Sequence, residues 1–504
     1  MNATPLLQII KSCLPVWDIR QRQTNNVVLI TFWSQFSVYA LNTVLILFLT
    51  RPLLEQGLGY SQVKAYAFVG VTQAMGYLMP VLGGFMADQL LGIRRAILLG
   101  SIMLALAYLM VMLSGYTVAS MGDTLFIAAY AFIPATNSLL MGTASGMVSN
   151  IYSNDAIKAK SAMTLYYMAI NSGALLATII APSLLDSRYG PLSILAVAFI
   201  GKSIAALNFA KRYSLYDDIV IGKDIEPMSG QSKTWLFFYI AGIYVFTLIA
   251  YFHVYLASIV ITVGCILGIL WFVSRTLSLS GIARTKQLMA VLLIIEAVIF
   301  FIIYNQMNST LILFAKTNSD LQLLGLSISP AQYQILNPVL IIVSGLLLPR
   351  FYRRFPNFTI PWQFASGTVL AGIAVLLMSY AASSSTTGYV NGNYIGLTYV
   401  LITVAELWVS AIGLSMIGLY CDNQRLAFAM GVWYLACSLS NAISGRLAEF
   451  AVIPEQLSSP MQSLAIYQHY YLLLGCGAIV LGIIMGFLAL IIQQNLRKKG
   501  IILS

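Results

Sequence analysis

Residues 401–418, LITVAELWVSAIGLSMIG, decide how the whole sequence is interpreted. The stretch is apolar enough to cross a bilayer, yet it carries Glu406 near its middle. A carboxylate at that depth costs at least ~2.5 kcal/mol, so it is expected to face a wet cavity or a cation. Ser410 and Gly413 share its helical face. This small, polar face predicts one wall of a solute path; the alternative is a buried glutamate that bonds to a neighbouring helix or is held protonated.

The composition extends this interpretation to the whole chain. Of 504 residues, 59% are hydrophobic and only 9% are charged, which excludes an ordinary soluble domain. Apolar runs of ~20 residues recur from end to end, each long enough to span the hydrocarbon core. The ~10-residue alternating segments of a transmembrane barrel are missing from the sequence. We therefore predict a polytopic helical membrane protein embedded in the lipid bilayer, and we expect no signal peptide.

Charge and cysteine usage exclude several other classes. The net charge is +11, but the basic residues are spread over short loops, which indicates membrane topology rather than nucleic-acid binding. Five scattered cysteines form no CxxC motif, so we expect neither a disulfide framework nor a metal site, and no cofactor. The two histidines, His253 and His469, lie near predicted helix ends, where solvated side chains are expected. No nucleophile–base pair or phosphate loop is evident, so we expect no enzyme activity.

Fourteen membrane spans are predicted, with both termini on the cytoplasmic side. With that orientation, 21 of the 27 lysines and arginines fall on the inside, while Lys202 and Arg446 fall within spans. The predicted spans are 27–50, 64–87, 95–115, 124–151, 161–185, 191–210, 234–252, 254–273, 287–315, 330–349, 361–382, 394–420, 427–452 and 464–492.

The longest hydrophilic break, residues 211–233, predicts a cytoplasmic linker. Two spans joined by a very short turn at His253 follow it, and they carry no polar face that could line a path. We therefore expect an all-α membrane fold of two six-helix bundles with an inserted hairpin. The predicted units are 1–210, 211–286 and 287–504. Two six-helix halves are a common transporter plan, with the solute held between them at mid-membrane.

Polar residues inside the spans fall on faces. In the first span, Thr31, Ser34, Gln35, Tyr39 and Asn42 form one stripe on an otherwise apolar helix, which a lipid-facing surface would not need. Such residues either line a shared cavity or hold helices together by hydrogen bonds. Stripes in both halves favour the cavity. The other polar positions noted are Tyr304, Asn305, Asn308, Ser309, Gln334, Asn337, Asn171 and Ser172.

The loop GGFMADQLLGIRRAI, residues 83–97, combines one acid with two bases. Asp88 stands a few residues before Arg94 and Arg95, beside glycines that permit close helix packing. Such a charge set predicts a latch that breaks as the two halves rock. The alternative is an ordinary loop that only sets the topology.

This loop resembles the GGxxADxxLGxxRT signature of the major facilitator superfamily, in the form used by proton-dependent oligopeptide transporters. Other segments are similar to motifs of the same family, in order along the chain. The extra hairpin between the halves is also the arrangement of prokaryotic members. The similar segments are YYMAINSGALLA, QYQILNPVLII, AELWVSAIGLSM and MGVWYLACSLSNAISGRLAEF.

The resemblance implies a major facilitator fold and proton-driven import of di- and tripeptides. By position, Glu406 matches the glutamate that pairs with the peptide amino terminus, and Asn171 and Asn337 match asparagines that hold the peptide backbone or termini. Tyr39, Tyr77 and Trp433 match aromatic residues that line the site. We add Gln35 and Asn305, which stand where the family has charged residues. The expected partner is a small peptide or another amine-bearing solute, and we expect a monomer.

The departures from the family pattern concern its charges. The first-helix ExxERFxYYG motif aligns with TFWSQFSVYA, which replaces both glutamates and the arginine. The fourth-helix lysine aligns with Met141, and a seventh-helix acid aligns with Asn305. These side chains do not titrate in the physiological range. With no evident cation for a carboxylate, the sequence favours ligands that lack one.

Only Glu406 and Glu296 remain as carboxylates deep in the spans, and Glu296 is half a turn out of phase with Asn305. The sequence therefore favours a carrier of the cell inner membrane that works by exchange or facilitated diffusion. Two alternatives stay open. One is a proton-coupled symporter in which Glu406 or Glu296 carries the proton, and the other is a membrane receptor or scaffold that binds without transport.

Overall fold

The computed structural model describes residues 18–153, 155–219, 222–355, 358–421, 426–454 and 459–498. Helices dominate these residues because apolar surroundings offer no water to backbone groups, and a helix satisfies those groups internally. Fourteen long helical segments lie within the described residues, one at each predicted span. They are α1 (Ile19–Thr50), α2 (Gln62–Met86), α3 (Ile93–Gly115), α4 (Thr124–Ile151), α5 (Ala156–Leu185), α6 (Gly190–Lys211), α7 (Gly230–Phe252), α8 (Val254–Leu277), α9 (Gly281–Tyr304), α10 (Leu336–Arg354), α11 (Ile360–Ser384), α12 (Gly392–Tyr420), α13 (Leu426–Leu447) and α14 (Pro460–Lys498).

Several segments are less regular than the sequence predicted. The span expected at 287–315 is α9, a 3-10 turn at Asn305–Asn308 and a further helix at Thr310–Asn318. The one expected at 330–349 begins with a 3-10 turn, Pro330–Ile335, before α10. Proline pre-sets the first residue of that turn and cannot donate a backbone hydrogen bond. The predicted unit boundary at residue 287 falls inside α9.

Twelve helices of the described chain are long and apolar enough to cross a membrane. The segments α10 and α13, with 19 and 22 residues, are helical at their predicted places but do not belong to the twelve. The described part of α13 buries Ser438, Ser440, Asn441 and Ser444, so these polar side chains face protein rather than lipid.

The first six segments form one bundle and the last six form another. In the N-terminal half, α1 packs between α5 and α6. Glycines allow this closeness: a Cβ at Gly173 would come within 2.5 Å of the Phe32 carbonyl oxygen, and one at Gly201 within 3.0 Å of a Phe36 ring carbon. In the C-terminal half, α11 packs on α12 and α14, and α9 packs on α13. The predicted architecture of two six-helix bundles with an inserted hairpin is confirmed.

The linker is fastened to the N-terminal half. Its 3-10 turn Tyr213–Ile219 lies against the start of α1, where Gln23 Nε2 donates 2.5 Å to Asp218. The carboxylate of Asp224 accepts from the backbone N–H groups of Arg94 at 2.8 Å and Arg95 at 3.1 Å. These are free donors at the start of α3, so a residue distant in sequence caps this helix.

The hairpin α7–α8 lies at the periphery and touches both halves. Tyr239 on α7 shares a 2.8 Å hydrogen bond with Ser138 on α4. Ser258 on α8 donates 3.3 Å to the carbonyl of Ala442 on α13. Only 28% of the most apolar window of α7 and 33% of that of α8 are buried in the protein, which leaves most of both helices to face lipid.

Hydrogen bonds join the two halves at the end opposite the linker, here called the far end. Gln332 Nε2 donates 3.3 Å to Ser183 Oγ, and Gln334 Nε2 donates 3.1 Å to the Thr43 carbonyl. The backbone N–H of Ile453 donates 3.0 Å to Gln62 Oε1. Thr43 and Ser183 lie towards the last turns of α1 and α5, whereas the linker lies against the first turn of α1. The far end is therefore closed.

Candidate functional site

A cavity of about 240 Å³ lies between the two halves. The whole polar stripe of α1 lines it, because these residues share one face of the helix that turns from its own bundle towards the other half. Both halves contribute to its walls, as expected for a site at the interface of two repeats. Polar and aromatic lining residues from the other segments are Thr72, Gln73, Tyr77, Asn137, Tyr166, Thr178, Tyr304, Asn305, Asn308, Gln334 and Asn337.

Glu406 on α12 contacts the cavity wall through two side chains. Asn337 Nδ2 donates 2.6 Å to Glu406 Oε2 and also contacts Thr403 Oγ1 at 3.1 Å. The side chain of Tyr304 also lies beside this carboxylate. Asn337 and Tyr304 both line the cavity, and Glu406 itself is partly exposed rather than sealed in dry packing. Hydrogen-bonded and partly exposed, this carboxylate is tolerated at mid-span.

Four other predicted site residues lie directly on the cavity wall: Gln35, Tyr39, Tyr77 and Asn305. Asn305 is 7% exposed, and its Nδ2 has no hydrogen-bond partner among the described residues. An unpaired buried amide costs free energy, so this group is a ready donor for a ligand carbonyl. It sits in the 3-10 turn that interrupts the helix after Tyr304, which frees its side chain from the regular helical face.

Glu406 reaches the cavity only through Asn337 and Tyr304, and two further predicted site residues, Asn171 and Trp433, do not line it in this conformation. Asn171 donates 3.0 Å to the carbonyl of Tyr167 one turn earlier, so its amide is used within α5. Trp433 is 4% exposed and packs edge-on against Phe301 and Phe364, with ring centroids 6.1 and 6.3 Å away. Large apolar rings gain most by full burial, which explains this position inside the C-terminal half.

The predicted latch residues have partners other than those expected. Arg94 forms an ion pair with Asp217, and the Arg95 guanidinium donates 3.0 Å to the carbonyl oxygens of Lys223 and Asp224. Asp88 is exposed and forms no ion pair within the described residues. The arginines are thus held by the linker, because its carboxylates lie on the donor-rich start of α3. This charge set fastens the linker to one half and does not bridge the two halves.

One ionisable residue next to the cavity was not predicted from the sequence as a site residue. Lys202 on α6 is 2% exposed, and its Nζ donates 2.7 Å to Ser34 Oγ on the cavity wall. Its second neighbour is the ring of Tyr108, 5.4 Å from Nζ. The signal was present, since Lys202 interrupts an apolar span as Glu406 does. Glu296, by contrast, is fully buried away from the cavity, as its helical phase predicted.

Comparisons with known proteins agree with this geometry. A family model described as the POT family matches residues 94–464. Dipeptide and tripeptide permease A of Klebsiella pneumoniae is 30% identical over 461 residues, which cover 90% of this chain and 89% of the relative. The protein of the same name from Citrobacter koseri is 31% identical over 461 residues, with the same coverage of both chains.

Solved structures show the same likeness. The crystal structure of tetrameric PepTSo2 superimposes with a TM-score of 0.82 at 26% identity, covering 95% of this chain and 99% of the other. The structure of a bacterial homologue of the human drug peptide transporters PepT1 and PepT2 gives 0.80 at 26% identity, with the same coverage. The agreement extends over both halves of the chain and does not depend on a single motif.

Proposed function

We propose that this chain, which belongs to the POT family of proton-dependent oligopeptide transporters, carries di- or tripeptides or related amine-bearing solutes across the inner membrane. The observation that carries this proposal is the Glu406 carboxylate, which Asn337 orients at the wall of a cavity between two bundles. A mid-membrane anion that contacts such a cavity is suited to bind a ligand ammonium.

The surrounding residues suit the rest of a short peptide. The unpaired amide of Asn305 offers a donor for a backbone carbonyl, and Gln35 offers both a donor and an acceptor. Tyr39 and Tyr77 present aromatic faces that tolerate different ligand side chains. These contacts are compatible with a carrier that accepts a class of solutes rather than one compound.

Alternating access is supported by the closure of the far end. The hydrogen bonds that Gln332, Gln334 and Ile453 make across it are between neutral groups, each worth about 0.5–1.5 kcal/mol net. These hydrogen bonds therefore contribute only a few kcal/mol to the closure of this end, an amount within reach of ligand binding. The distribution of basic residues supports an inner-membrane orientation with the linker and both termini in the cytoplasm.

The position of Glu296 bears on coupling. Both of its carboxylate oxygens lie buried without a hydrogen-bond partner among the described residues, and the side chain does not line the cavity. A group that carries protons across must be reached from both sides in turn. This geometry supports exchange or facilitated diffusion, with Glu406 binding either a ligand amine or a proton.

Replacing Glu406→Gln tests the binding part of this proposal. The amide keeps the volume but loses the charge that pairs with an ammonium, so the Kd of a dipeptide should rise at least about tenfold. The measurement is the ligand-induced rise in the apparent unfolding temperature of the purified protein, titrated with the dipeptide. Glu296→Gln is the matched control and should bind as the wild type does. Equal affinity of the Glu406 variant and the wild type would contradict the proposal.

Uptake by reconstituted vesicles separates the modes of transport. Counterflow of labelled dipeptide without a proton gradient is the expected result. Uptake that occurs only under an imposed pH gradient would instead support proton-coupled symport through Glu406 or Glu296. Binding without any uptake would support a receptor.

A further inference from the structure

The N-terminal wall of the cavity has a cation behind it that the binding scheme above does not use. Lys202 Nζ is buried within α6 and donates 2.7 Å to Ser34 Oγ. No carboxylate lies within ion-pair distance of it among the described residues. An ammonium carries three donors and is costly to bury without an anion. Among the described residues, Lys202 therefore lacks the partner of opposite charge that would offset this cost.

Two hydroxyl side chains of α1 line the cavity, and one of them, that of Ser34, accepts the hydrogen bond from this ammonium. Ser34 and Thr31 are one turn apart on α1, both line the cavity, and they are 6% and 5% exposed. The Oγ1 of Thr31 has no hydrogen-bond partner among the described residues. Ser34 Oγ accepts from Lys202 and therefore keeps its own O–H free to donate. The wall thus presents two hydroxyl donors, one of them polarised by a cation.

We propose that Thr31, Ser34 and Lys202 form an anion subsite that receives the carboxylate of the transported ligand. This inference rests on the proposed function, because it assigns the second charge of the same ligand. Glu406 stands in the C-terminal half and the subsite in the N-terminal half, so a ligand with an ammonium and a carboxylate is held by both halves at once. Ligands with a free carboxylate are then preferred, which reverses the expectation from the sequence.

The packing of α6 explains how the lysine reaches this place. Gly201 precedes Lys202 and lies where a Cβ would meet Phe36 and the backbone of Trp33 at 3.0–3.2 Å. Its missing side chain lets α6 approach α1 closely. The neighbouring lysine is thereby directed at Ser34 from behind the cavity wall. The cation therefore acts through a hydroxyl relay on α1, and its charge reinforces the donor that contacts the ligand.

The test compares alanyl-alanine with its C-terminal amide in binding titrations that follow the apparent unfolding temperature. The wild type should bind the free acid at least about tenfold more tightly than the amide. Ser34→Ala and Lys202→Gln should each weaken binding of the acid at least about tenfold and that of the amide less than twofold. Ser37→Ala is the matched control, since that buried hydroxyl bonds the Trp33 carbonyl and does not line the cavity. It should change neither affinity.

Each remaining outcome has a definite meaning. If acid and amide bind the wild type equally, the anion subsite is wrong while peptide binding stands. If Ser34→Ala weakens both probes equally, the residue acts only on the fold and the inference also fails. If neither probe stabilises the wild type, the proposed function itself is overturned. Because Ser34→Ala removes only a hydroxyl, it remains informative even if Lys202→Gln does not fold.

Discussion

Three ionisable residues deep in the spans, Glu406, Glu296 and Lys202, have three different environments. Helical phase alone placed Glu296 away from the polar face of α9, and the structure agrees. Sequence pattern also placed Glu406 on a polar face. The role of Lys202 was not predictable in this way, because it depends on which helix packs against α6 and at what distance. Periodicity tells which face a side chain is on, but not what lies opposite.

A charged cluster at the far end gives a prediction at the same scale. Asp123 accepts hydrogen bonds from the Tyr60 hydroxyl at 2.6 Å and from Lys64 Nζ at 3.0 Å. Partial burial on its own raises the pKa of Asp123, but these two donors outweigh it and hold the pKa below its usual range. The ionised form is therefore bound more favourably in the folded state.

We expect Asp123→Asn to destabilise the protein by about 1 kcal/mol at neutral pH, since the pair is partly exposed. A lowered folded pKa stabilises fully above the unfolded value of ~3.9, and this stabilisation is lost as the pH falls through the folded pKa. The deficit of the variant should therefore be constant above about pH 5 and shrink below ~3.9. Apparent unfolding temperatures measured across this range, with Asp88→Asn as a charge-matched control, check it. A deficit that grew in acid would contradict the assignment.

At the scale of the element, apolar run length was sufficient to place every long segment, but not its ends. Helix ends depend on caps, and α3 is capped by Asp224, more than a hundred positions along the chain. A local sequence pattern indicates only caps that lie next to the helix, which is why Asp88 was predicted as the partner of the arginines. Gly92, with φ 80°, completes this end by leaving room for the carboxylate. Distant capping is a tertiary effect that no local pattern encodes.

Asp224→Ala should therefore release the linker from α3. Two backbone donors lose their acceptor, and loss of a helix cap costs about 1 kcal/mol. Hydrogen–deuterium exchange should speed up at the start of α3 and in the turn Gly222–Asp224. Asp88→Ala, which removes an exposed acid from the helical turn Ala87–Leu91 at the end of α2, should leave exchange unchanged in both segments. The reverse pattern would restore Asp88 as the partner of the arginines.

At the scale of the whole molecule, two bundles and a hairpin followed from span count, linker position and charge bias. The cavity between the halves followed from the polar stripes, and every residue of the α1 stripe lines it. The conformation did not follow. Which end is closed depends on weak contacts such as Gln332 with Ser183, and these arise from the relative tilt of the bundles. The same sequence must be compatible with both access conformations, so it does not specify only one of them.

Crosslinking the far end tests whether it must open. Cysteines at Ser183 and Gln332, joined by a short reducible reagent, should reduce peptide uptake to background, and reductant should restore it. The matched pair Leu324 and Asn393 lies within the C-terminal half, where the Leu324 N–H contacts Asn393 at 2.8 Å. Its crosslink should not change uptake. The single-cysteine variants correct for native thiols. Undiminished uptake by the crosslinked Ser183–Gln332 protein would show that the far end stays shut during transport.

The peripheral hairpin gives this cycle a further dependence. One arm is bonded to α4 and the other to α13, so rotation of one half against the other strains at least one of these attachments. Both arms present most of their surface to acyl chains. Work done on the surrounding lipid therefore enters the free-energy difference between the two access states. The thickness and lateral pressure of the bilayer then shift the equilibrium between the two access states of this carrier, although no ligand is bound.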